Sequence, residues 1–139
     1  MVKGWKILIV DDDEDFIEIT RFSLEGHGYR VISAQSGEDG WKMMEKEKPD
    51  LVILDLMMEK LDAGMALSQQ IKSHPEYRKT PVLMLTSMAR EIGLDFSPRS
   101  DAEHRELHVD DFCMKPIKMK TLLDKVEKLL QLRRSVSQK

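Results

Sequence analysis

Leu51-Val52-Ile53-Leu54-Asp55 is the stretch that decides the fold. Four apolar residues run together and stop on a carboxylate. So short a continuous run suits a strand covered on both faces, as in a parallel sheet. Ile7-Leu8-Ile9-Val10 and Val82-Leu83-Met84-Leu85 repeat the pattern. All three are far below the roughly 20 residues that a membrane span needs.

Helix-length amphipathic segments separate these runs. Phe16, Ile17, Ile19, Thr20 and Leu24 give a helical stripe over 14–26, which Gly26 and Gly28 close. Residues 29–34 alternate like a strand. Ser36 with Asp39 resembles a capping box opening a helix over 37–47. Pro49 ends the linker into the 51–54 strand. Ala66, Leu67, Gln70 and Ile71 mark a third helix, closed before Pro75, and Pro81 starts the 82–85 strand. A last strand is expected over 111–114. A final helix is expected over 119–133, with Leu122, Leu123, Val126, Leu129 and Leu130 on one face.

This alternation predicts a single α/β domain over 1–133, a doubly wound parallel sheet with helices on both faces. Residues 134–139 read as a polar, frayed tail. Residues 88–110 break the rhythm with Gly93, Pro98 and many charges. A short, displaced or disordered fourth helix is expected there.

Composition narrows the function. The 139 residues are 41% hydrophobic and 34% charged, with a net charge of −3. That is the balance of a soluble domain, and it disfavours a surface that binds nucleic-acid backbone. Lys125, Lys128, Arg133 and Arg134 read as the solvated face of a helix. The lone Cys113 reads as a buried hydrophobe in a reducing cytoplasm. His27, His74, His104 and His108 lack zinc spacing and read as surface residues.

Open parallel sheets bind ligands beyond the carboxyl ends of their strands. After the first strand come Asp11, Asp12 and Asp13; after the third, Asp55; after the fourth, Thr86 and Ser87; after the fifth, Lys115. Singly, each has an ordinary explanation: a turn aspartate, a β-forming threonine, a surface lysine. Together at one sheet edge they describe a chemistry. Clustered carboxylates suit magnesium, which takes oxygen ligands and keeps several waters. A carboxylate can accept a phosphoryl group as an acyl phosphate. A metal, an ammonium and a hydroxyl can hold the oxygens of that group.

Ile7-Leu8-Ile9-Val10-Asp11-Asp12, Leu54-Asp55-Leu56-Met57-Met58 with Asp62, Leu85-Thr86-Ser87 and Lys115-Pro116 resemble the receiver domain of two-component response regulators, over about 5–132. The resemblance implies a five-stranded sheet of order 2-1-3-4-5. It implies that Asp55 is phosphorylated by a sensor histidine kinase or a histidine phosphotransfer protein. It gives Asp12 and Asp55 to magnesium directly, Asp11 through water, and Met57 through its backbone carbonyl. Thr86 would bond a phosphoryl oxygen, and Lys115 would pair with Asp55 or its phosphate. The Lys115–Pro116 peptide would be cis. Phe112 would be the switch aromatic.

The chain also departs from the family. Glu59 stands where a proline is usual, and Asp62-Ala63-Gly64 suggests one inserted residue. The 29 positions from Thr86 to Lys115 are long for the family. Met57 and Met88 flank the expected path of hydrolytic water, and thioethers orient water poorly, so slow dephosphorylation is expected. No output domain is expected after residue 134. The implied function is a cytoplasmic phosphoacceptor switch, not a conventional enzyme. Two other readings compete. A haloacid-dehalogenase-like phosphatase would use Asp11 as nucleophile. A degenerate receiver would serve only as a binding module.

Overall fold

The computed structural model describes residues 4–56, 63–86, 109–115 and 117–137, with side chains to 132. Five strands and four helices lie among them: β1 (Lys6–Val10), α1 (Glu14–Glu25), β2 (Arg30–Ala34), α2 (Gly37–Glu47), β3 (Leu51–Asp55), α3 (Ala63–Ser73), β4 (Val82–Thr86), β5 (Asp111–Met114) and α4 (Met119–Ser137). The strands form one parallel sheet in the order β2-β1-β3-β4-β5.

Strand periodicity divides the core in two. Ile7, Ile9, Leu51, Ile53, Leu83, Leu85 and Cys113 face Ile17 and Leu24 of α1 and Leu122, Val126, Leu129 and Leu130 of α4. Their alternates Leu8, Val10, Val52, Leu54, Val82, Met84 and Phe112 face Met44 of α2 and Leu67 and Ile71 of α3. Every residue of β3 and β4 is buried, which is why these runs are continuously apolar rather than alternating.

Local signals place the helix ends. Asp13 caps α1, its carboxylate accepting from the Phe16 N–H at 3.2 Å. Ser36 caps α2, its hydroxyl accepting from the Asp39 N–H at 3.1 Å. Gly28 turns into β2 at φ 90°, a conformation open to glycine.

The sequence expectations need adjustment at three places. Ile19 is 58% exposed, so the buried stripe of α1 is Ile17, Thr20 and Leu24. A 3.6-residue period fits Ile19 only at the stripe's margin. The third helix, Ala63–Ser73, closes before Pro75 as expected, but α4 runs past the expected 133 to Ser137. No proline or glycine follows Pro116 to stop it. His74 is half-buried and stacks on Tyr77, with ring centroids 4.4 Å apart.

Candidate functional site

The register brings the strand ends together. Val10 lies beside Leu54, Asp55 beside Leu85, and Thr86 beside Met114. Residues that follow these positions therefore meet at one edge. The Lys115 N–H donates to the Thr86 carbonyl at 2.9 Å, which extends the β4–β5 ladder by one residue and aims the lysine at the site.

Asp11, Asp12 and Asp55 each bring a carboxylate oxygen within 4.8 Å of the others. Asp11 is fully buried, Asp55 is buried and Asp12 is exposed. Lys115 bridges the two buried carboxylates, donating to Asp11 Oδ2 at 3.0 Å and to Asp55 Oδ2 at 3.4 Å. Burial alone would pull this ammonium's pKa down. The hydrogen bond to Asp11 and the fields of Asp55 and Asp11 outweigh it, and the net shift is upward. Lys115 is thus held charged. The other oxygen of Asp11 accepts from the Asp13 N–H at 2.9 Å.

The donor set fits magnesium: three hard carboxylates converge, one of them exposed, so a cation can approach from solvent and keep waters. Thr86 is buried at the end of β4. Phe112 is buried against the α2–α3 side of the sheet. Met57, Ser87, Met88 and Pro116, with the cis peptide expected at Lys115–Pro116, lie outside the described residues, as does most of 88–110.

A model of the response regulator receiver domain matches residues 7–127. The chain belongs to this family. Among curated proteins, the alkaline phosphatase synthesis transcriptional regulatory protein PhoP of Bacillus subtilis (strain 168) is 36% identical over 130 residues, covering 91% of this chain and 48% of PhoP. The receiver domain thus spans about half the length of the curated relatives it matches. The signal receiver domain of a signal transduction histidine kinase from Syntrophus aciditrophicus superposes with a TM-score of 0.76 at 33% identity, over 91% of this chain and 90% of that one. The chemotaxis response regulator CheY4 of Vibrio cholerae gives 0.77 at 25% identity, over 91% and 99%.

Two residues of the site escape a reading by strand ends. Gly64, on α3, packs against the end of β3: a Cβ there would collide with the backbone of Asp55 and Leu56. The Gly64 N–H donates to the Leu56 carbonyl at 3.0 Å, so this contact fixes the segment that carries Asp55. Phe16, in the first turn of α1, places its ring centroid 4.7 Å from Lys115 Nζ. Helical side chains lean toward the helix N-terminus. A first-turn aromatic after an acidic loop is the signal that could have revealed it.

Proposed function

We propose that this receiver domain is a phosphorylation-dependent switch in which Asp55 accepts a phosphoryl group from a phosphohistidine. The donor would be a sensor histidine kinase or a histidine phosphotransfer protein in the cytoplasm. The observation that carries the reading is the shared lysine: one ammonium lies between Asp55 and Asp11, at the rim of a three-carboxylate cluster. No helix among the described residues is long and apolar enough to cross a membrane.

In the transfer, an Asp55 carboxylate oxygen attacks phosphorus. The phosphorus–nitrogen bond breaks, and its electron pair stays on the departing imidazole. Lys115 holds a phosphoryl oxygen as the negative charge moves onto Asp55. The Thr86 hydroxyl donates to another. Asp12 and Asp55 directly, Asp11 through water and the Met57 carbonyl would hold magnesium, which would neutralise charge on the phosphoryl oxygens. Phe112 would couple this change to a partner-binding surface through a shift in its burial.

The Asp11 environment favours this reading over a phosphatase. Both its oxygens are engaged, one by the Asp13 N–H and one by Lys115, and the residue is fully buried. That suits a fixed charge better than a nucleophile. Incubation with acetyl phosphate and magnesium tests the point. Stable labelling that Asp55→Asn removes supports the switch. Rapid turnover that Asp11→Asn removes supports the phosphatase, and no labelling supports a binding module.

A further inference from the structure

The three donors of a lysine ammonium leave it free to swing unless its surroundings fix it. Two sides of Lys115 Nζ are accounted for by Asp11 and Asp55. The Phe16 ring, with its centroid 4.7 Å away, covers another. That separation lies inside the roughly 6 Å within which a ring face attracts a cation.

The ring is anchored at both ends. Its side chain packs against the core beneath α1. Its backbone N–H donates to Asp13 Oδ1 at 3.2 Å, while the Asp13 N–H donates to Asp11 Oδ1 at 2.9 Å. One six-residue segment, Asp11 to Phe16, therefore sets both the carboxylate that Lys115 touches and the ring that it lies over. Lys115 itself comes from the far end of the chain, 104 residues from Asp11.

We propose that Phe16 is a positioning residue for phosphoryl transfer, holding the Lys115 ammonium at the site without taking up a hydrogen bond. The inference rests on the switch reading above. A carboxylate neighbour holds the ammonium by competing with the phosphoryl oxygens for its N–H donors. A ring face attracts the charge while leaving the donors available. It also keeps water from one side, which strengthens the attraction between Lys115 and the incoming phosphoryl group. Lys115 can then turn from Asp11 toward a phosphoryl oxygen while remaining over the ring.

The test is the rate of labelling by acetyl phosphate and magnesium in a double-mutant cycle of Phe16→Leu and Lys115→Met. Phe16→Leu is expected to slow labelling about 3- to 10-fold, the range of a half-desolvated cation–ring contact. Phe16→Trp should restore the wild-type rate, although it fits the space less well than Leu. In the Lys115→Met background, Phe16→Leu should cost nothing further. A wild-type rate for Phe16→Leu, or an equal loss in both backgrounds, would overturn the inference while leaving Asp55 as the acceptor. Failure of the wild type to label at all would overturn the switch reading, and this inference with it. Proton NMR gives a second reading: the Lys115 ε-methylene protons should lie upfield of free lysine and return to normal in Phe16→Leu. Unshifted protons in the wild type contradict the proposal.

Discussion

The two ends of the sheet handle charge in opposite ways. At the amino end, two ammonium groups among the described residues each meet a separate carboxylate. Lys6 pairs with Glu47 at 3.0 Å, and Lys72 with Asp110 at 2.6 Å. The aspartates that precede β3 and β5 also cap neighbouring strands. Asp50 accepts from the Lys6 N–H at 2.8 Å and Asp110 from the Val82 N–H at 2.7 Å. Lys72 further satisfies the Thr80 carbonyl at 2.7 Å. At the carboxyl end, one ammonium is shared by two carboxylates, Asp11 and Asp55, with the third, Asp12, beside them. The amino end is a closed network that holds strands in register. Among the described residues the carboxyl end holds more carboxylates than ammonium groups, a balance that suits a bound cation. The proposed site lies at the end where one lysine is shared between carboxylates.

That contrast can be broken from either side. The largest effect is expected where the site's frame is tightest. Gly64→Ala puts a methyl group into the Asp55–Leu56 backbone, and should lower unfolding free energy by about 3 kcal/mol in urea titrations. Labelling at Asp55 should fall with it. Next comes Asp11→Asn. It should weaken magnesium binding by about 10- to 100-fold, as loss of a metal's outer partner does. Stability should change by less than about 1 kcal/mol, because an amide oxygen can still accept from the Asp13 N–H. At the other end the balance should reverse: Lys72→Met should cost about 1–2 kcal/mol, discounted because Asp110 is partly exposed. Its labelling rate should match the wild type. If Lys72→Met slowed labelling as much as Asp11→Asn, the two ends would not be distinct.

The smallest effect concerns Cys113, in the core beneath α4. Burial raises its thiol pKa; Lys125 opposes this and Asp111 adds to it. The folded thiol therefore holds its proton more tightly than the unfolded chain does. That contribution is complete below pH about 8.5 and is lost as the pH rises through the folded value. Cys113→Val should flatten the alkaline fall in stability, by under about 1 kcal/mol at pH 10. A steeper fall in the variant would contradict the sign.

The fold was legible because β1, β3 and β4 are apolar runs that stop on polar residues, and because Ser36 and Gly28 carry their own local geometry. Asp11, Asp12, Asp55, Thr86 and Lys115 were legible as strand-end residues, since a parallel sheet sends every strand end to one edge. What stayed hidden depends on contacts between distant segments. Phe16 reads as one more member of an amphipathic stripe until Lys115 is known to lie over it. Gly64 reads as a loop glycine until α3 is seen against β3. Asp50 and Asp110 read as linker residues until their neighbouring strands supply the N–H groups they cap. Ile19 was misread because periodicity alone does not fix where a stripe ends.

The central claim is that Asp55 carries the phosphoryl group, and the acyl phosphate bond allows a direct test. The protein is charged with acetyl phosphate and magnesium, reduced with borohydride, digested and sequenced by mass spectrometry. Reduction turns a phosphorylated aspartate into homoserine. Homoserine at position 55 is the predicted result. Homoserine at position 11 or 12, or unmodified aspartate throughout a protein that has consumed acetyl phosphate, would contradict the account.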